Sequence, residues 1–186
     1  MKCKKTSVAA ALIVAATMGS AASAATIYAT GIDWTNNGTV GSSNNRDNKL
    51  NALGAPDGQF MSLGLVGAAD FTFGQDFISR GTVWEVTFGT RASYLETAEV
   101  LLSYQGSNFV KVADIGNASA SGSNFTFNGR WDTLRLVDTT PGSSPSTDGY
   151  DVDAVGVSPV PIPAAGFLLL GALGGLAAMR LRRKAA

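Results

Sequence analysis

Asp151 and Asp153 are two residues apart in Tyr150-Asp151-Val152-Asp153-Ala154-Val155, a segment that predicts the last strand of the chain. Side chains at i and i+2 of a strand share a face, about 6.5–7 Å apart. Two carboxylates so placed repel unless a cation or a set of donors offsets them. Asp148 lies just upstream in a turn. Asp57, in Ala55-Pro56-Asp57-Gly58, supplies another oxygen from a loop, and Asn45, Asp47 and Asn51 carry more in the preceding polar stretch. With backbone carbonyls, such a set could complete the shell of about 6–8 oxygens that calcium takes. Three readings stay open. The aspartates form a calcium site, or they are turn and cap residues, as the Asp57-Gly58 and Asp148-Gly149 pairs suit. The third makes two of them the acid and the nucleophile or base of a glycosidase.

Composition narrows the chemistry. The chain has no histidine, and its one cysteine is Cys3. This excludes Ser-His-Asp and Cys-His catalysis and histidine-held zinc. A metal site must be built from oxygens, which again favours calcium. All 14 acidic residues lie between Asp33 and Asp153. Of the 14 basic residues, three stand before Val8 and four after Met179, so the middle holds seven and carries a net charge of −7. Such a domain repels nucleic acid, and no nucleic-acid partner is expected.

The elements that must position these residues are strands. Phe71 and Phe73 alternate with Asp70 and Thr72, and Leu134 and Leu136 with Thr133 and Arg135. Val100, Leu102 and Tyr104 alternate with Glu99, Leu101 and Ser103, and Phe125 and Phe127 flank Thr126. Trp84, Val86 and Phe88 alternate with Val83, Glu85 and Thr87, which makes Trp84 a core residue and Glu85 a solvated one. Turn signals separate the runs at Gly74-Gln75-Asp76, Gln105-Gly106-Ser107, Ser121-Gly122-Ser123 and 141–147. The pattern predicts an all-β, antiparallel, jelly-roll-like β-sandwich. First and last strands often adjoin in a jelly roll, which adds Asp33 to the calcium candidates. Asn36–Asn48 predicts a long loop, and a helix is expected near Ala92–Ala98. Trp34 and Trp131 suit a structural role better than sugar stacking.

Both ends carry address signals. Lys2, Lys4 and Lys5 precede an apolar run from Val8 to about Met18, and Ala22-Ser23-Ala24 follows. This is the order of a secretory signal peptide over residues 1–24, cut by signal peptidase before Ala25. The domain then runs over 25–158 and the tail over 159–186. The tail opens with Val160-Pro161-Ile162-Pro163-Ala164, continues with an uncharged run to Met179 and closes with Arg180, Arg182, Arg183 and Lys184. A helix over Ala164–Met179 would be about 24 Å long, short for a span. Leu181 and snorkelling arginines extend it to a transmembrane helix over 164–181, with the basic cluster as membrane stop on the cytoplasmic side.

This tail resembles the PEP-CTERM sorting signals in their Val-Pro-Leu-Pro-Ala form, with isoleucine at 162. The resemblance implies an exosortase-type membrane enzyme as partner in the inner membrane of a Gram-negative bacterium. It also implies delivery to the cell surface or an extracellular polysaccharide matrix. Four phrases within the domain resemble galactose-binding-like, discoidin-like sandwiches. They are Ala52 to Gly58, Val100 to Phe109, Leu134 to Asp138 and Asp148 to Val155. That family implies binding of carbohydrate, here exopolysaccharide, through loops at one end, and often a structural calcium ion. The function expected first is a non-enzymatic surface or matrix protein; the alternatives are a carbohydrate-binding module and a carboxylate-based hydrolase.

Overall fold

Phe71 and Phe73 do point inward, and the strand that carries them is bent. The computed structural model describes residues 25–87, 93–117, 119 and 121–161. The expected signal peptide, Ile162 to Ala164 of the sorting motif, the transmembrane helix and its basic end lie outside them. Among the described residues eight strands form in order: β1 (Ile27–Tyr28), β2 (Gly31–Trp34), β3 (Met61–Ser62), β4 (Ala68–Glu85), β5 (Thr97–Ser103), β6 (Val110–Gly116), β7 (Ser123–Asp138) and β8 (Asp151–Pro159). All pairings are antiparallel, in the order β1-β8-β4-β7-β5-β6, with β2 on β4 and β3 on β8.

The sandwich is made by two long strands that each serve both layers. The first half of β4 pairs with β2 and the second half of β7; its second half pairs with β8 and the first half of β7. The β4–β7 register shifts between Thr72 and Phe77 and again between Ile78 and Arg80. Gly74 sits at φ 71° and Gly129 at φ 89°, in the left-handed region that glycine enters at no steric cost. These breaks re-aim both strands, as bulges do. The β-sandwich expectation holds.

The core gathers on the bend. Phe73 meets Phe77 edge-on at 5.1 Å between centroids, Phe77 meets Phe127 at 5.8 Å, and Phe125 meets Phe127 at 5.9 Å. Phe71, Phe77, Leu134 and Leu136 are fully buried, each adding roughly 1.5–3 kcal/mol. Asp138, 2 % exposed, ties the loops beneath β7 by accepting the N–H groups of Val66 (3.0 Å) and Tyr150 (2.9 Å).

Three local expectations are corrected. Thr97 and Ala98, given above to a helix, open β5. Ala98 is fully buried between neighbours on β6 and β7, so sheet pairing overrides the local alanine-rich signal. In β4 it is Val83 that is fully buried; Trp84 is half-buried and packs on Tyr28 at 5.7 Å. Glu85, two residues on from Val83 and so on the same inner face, has an oxygen in the interior.

Candidate functional site

The structure takes the four candidate calcium ligands to three different places. Asp153, 7 % exposed, accepts the N–H of Asp57 on Oδ1 (3.0 Å) and of Gly58 on Oδ2 (3.2 Å). Burial pushes its pKa up and the two amides pull it back, leaving it raised. Asp57 turns its own carboxylate outward to the N–H (2.9 Å) and side chain (2.8 Å) of Gln59. This is turn chemistry, one of the open readings.

Asp151, 2 % exposed, receives the Ser62 hydroxyl, and Asp148 holds Arg46 in an ion pair. Glu96 completes this interior group. It is fully buried, receives the Ser146 hydroxyl at 2.7 Å and was not singled out from sequence, because nothing local marks it. Burial, then the charge of Asp151, pushes Glu96 up to about 9; burial pushes Asp151 up to about 8.

Asp33 is elsewhere. β1 does pair with β8, as a jelly roll requires, but β2, which carries Asp33, pairs with β4, and Asp33 stands opposite Asp70. Among the described residues no three acidic side chains converge on a point that could hold a metal ion. The donors already on Asp57 and Asp153 are amides, so this set does not fit a calcium shell as it stands.

A solvent-facing concavity lies at the bend instead. Thr72, Gly74, Gln75 and Asp76 of β4, Gly106 of the β5–β6 turn, and Asp132 with Thr133 of β7 line a cleft of about 380 Å³. The β4 and β7 breaks open it. Asp76 forms an ion pair with Arg130, whose guanidinium lies 5.9 Å from the Tyr104 ring centroid. The Tyr104 hydroxyl is 3.5 Å from Asp76. Asp132 accepts the N–H of Gln105 at 2.7 Å and the hydroxyl of Thr133 at 2.8 Å. The arrangement offers fixed carboxylate acceptors beside an aromatic edge, which suits a polyhydroxylated ligand. Val160, the first residue of the expected sorting motif, donates its N–H to the Asp76 carbonyl at 3.1 Å, beside this cleft.

Trp34 and Trp131 both bond backbone carbonyls. Trp34 is 9 % exposed and donates its indole N–H to the Leu63 carbonyl at 2.9 Å. Trp131 packs on the core and bonds the Asn128 carbonyl at 2.8 Å. The cleft residues were visible in sequence as the turn signals Gly74-Gln75-Asp76 and Gln105-Gly106-Ser107. Nothing in sequence showed that the two turns meet.

No family model and no curated protein matches this chain. Solved structures do. A pectin-binding carbohydrate-binding module aligns with a TM-score of 0.56 at 8 % identity, over 74 % of this chain and 96 % of that one. A CBM32 module produced by Clostridium perfringens, in complex with GlcNAc-α-1,4-galactose, aligns at 0.49 and 9 % identity over 68 % and 88 %. The CBM32 of AlyQ, in complex with 4,5-unsaturated mannuronic acid, aligns at 0.46 and 10 % identity over 72 % and 97 %. The first of these carries the comparison, and at that identity it shows the fold alone: an antiparallel β-sandwich.

Proposed function

We propose that this chain is an exported, non-enzymatic carbohydrate-binding protein, with its ligand seated in the cleft at the β4–β7 bend. The observation that carries the reading is the cleft itself, where Asp76 and Asp132 are held in place by Arg130, Thr133 and the Gln105 amide. Pre-positioned acceptors receive sugar hydroxyls without having to order first. The fold, shared with a pectin-binding module, supports the reading. A hydrolase is less well supported: Glu96 and Asp151 are 0 % and 2 % exposed, beyond the reach of a polymer.

The test is retention of the protein on a panel of immobilised polysaccharides, with Asp132→Ala as control. Binding that Asp132→Ala weakens about tenfold, the loss expected for a hydrogen bond to a charged group, supports the site. Binding unchanged by Asp132→Ala moves the site elsewhere, and no retention on any polysaccharide ends the reading.

The address is the second part of the proposal. Residues 1–24 direct export, and the tail from Val160 is handled by an exosortase-type enzyme that delivers the domain to the surface or matrix. The Ala22-Ser23-Ala24 pattern and the order of Pro161, Pro163 and the basic end support it. Mass spectrometry of exported protein should find Ala25 as the first residue. Replacing Pro161 and Pro163 by alanine should hold the protein in the inner membrane; unchanged delivery would remove the sorting claim.

A further inference from the structure

A second concavity, of about 220 Å³, is lined by Asp33, Trp34, Thr35, Ala68, Asp70 and Arg135. It adjoins the first. Asp70 pairs with Arg135 and Thr72 with Thr133, one two-residue step apart along the same two strands. Phe71 and Phe73 point into the core, as do Leu134 and Leu136. Asp70, Thr72, Thr133 and Arg135 therefore share the outer face. The step between the clefts is about 6.5–7 Å.

One segment touches residues of both. Tyr104, Gln105 and Gly106 border the first cleft. Phe109, five residues on from Tyr104, lies 3.9 Å from the guanidinium of Arg135, which lines the second. Taken singly, the first cleft is at the low end of the range for small-ligand pockets, about 300–1,000 Å³, and the second is below it. Joined, they make a trough along the strands.

The charge in the trough selects its contents. Asp76 is paired with Arg130 and Asp70 with Arg135, the latter through two bonds of 2.5 and 2.7 Å. Asp33 and Asp132 also face it, so four carboxylates meet two guanidinium groups, both engaged. A chain bearing carboxylates meets like charge there. Sugar hydroxyls meet acceptors.

We propose that the two clefts form one groove that takes an internal stretch of a linear, uncharged polysaccharide laid along the outer face of β4 and β7. This rests on the carbohydrate reading above and adds the length and charge of the ligand. Asp132 and Asp76 accept hydroxyls at one end; Asp70 and Asp33 do so at the other, beside the Arg135–Phe109 stack.

The experiment titrates the full chain, in mild detergent, by calorimetry. The probes are neutral β-linked oligosaccharides of two to six units from the polysaccharide that retains the protein, with oligogalacturonate as the charged probe. Affinity should rise about tenfold or more from two units to six. Asp33→Asn and Asp70→Asn should each flatten that rise. Asp33 is exposed on β2, so its variant keeps the test sound if Asp70→Asn misfolds. Affinity independent of length, a rise untouched by Asp33→Asn, or tighter binding of oligogalacturonate overturns the groove. If two-unit probes still bind and Asp132→Ala abolishes this, the first cleft stands and the groove alone falls. If no oligosaccharide binds, both fall.

Discussion

Asp153 accepts the backbone N–H of Asp57 across 96 residues of chain, at 3.0 Å. One carboxylate on the last strand thus fixes the loop that follows the 3-10 turn Lys49–Ala52, and Gly58 adds a second bond at 3.2 Å. Removing it leaves two amides of a half-buried site without their acceptor. Asp153→Ala should cost about 2–3 kcal/mol, read as a fall of several degrees in the thermal midpoint. Asp153→Asn keeps one acceptor and should fall by less. A midpoint unchanged in Asp153→Ala would show that the loop is held by other contacts.

The interior acid group gives the protein a pH profile. Folding raises Glu96 to about 9 and Asp151 to about 8, mainly by burial. In the unfolded chain these groups titrate near about 4. Between those limits the folded state holds protons that the unfolded state has lost, so stability falls as pH rises. Urea midpoints should drop from pH 5 to pH 9. Glu96→Gln, which stays neutral, should flatten the drop. A midpoint that climbs over this range would mean that both carboxylates are charged and compensated.

Calcium is testable in the same assay. The oxygens of Asp153 are occupied by amides, those of Asp57 by Gln59, and Asp33 is bonded into a different region. Excess EDTA followed by millimolar calcium should therefore leave the midpoint in place. A rise matching the roughly 2.7 kcal/mol that a ligand at about 100 times its dissociation constant contributes would mean that the loops rearrange around a metal ion.

Gly67 is a packing requirement. A Cβ there would stand 2.0 Å from the Leu63 carbonyl oxygen and 2.9 Å from that of Gly64. Both are backbone atoms in a turn closed by the Gly67 N–H on Gly64 (2.8 Å) and by Asp138 on the Gly67 carbonyl (2.8 Å). Gly67→Ala should destabilise by about 3 kcal/mol. Gly142→Ala, which meets nothing within 4 Å, is the control.

Much of the fold was legible because strand alternation is a local property. Phe71, Phe73, Leu134, Leu136, Phe125 and Phe127 all face inward as their spacing predicted. The alternation misled at Val83, Trp84 and Glu85, where apolar residues stand on both faces and local pattern leaves the phase open; Val83 took the inner position. Ala98 misled because helix propensity is weak against a strand slot between two neighbours. The site was legible only in fragments. Asp57, Asp76 and Gln105 stood out as turn residues, but turn chemistry does not say which turns meet.

The sequence by itself determined what depends on near neighbours: the period-2 core, the turns, the net charge of −7 between the two end segments, and the absence of histidine. Tertiary structure decided what depends on partners far along the chain. It gave Asp153 to the amides of Asp57 and Gly58, and put β2 on β4 so that Asp33 joined Asp70. It sealed Glu96 inside, and brought Asp76 and Asp132 to one cleft. A side chain's type states which bonds it can make; burial and neighbours, set by pairings across 96 residues and more, select the ones it does make.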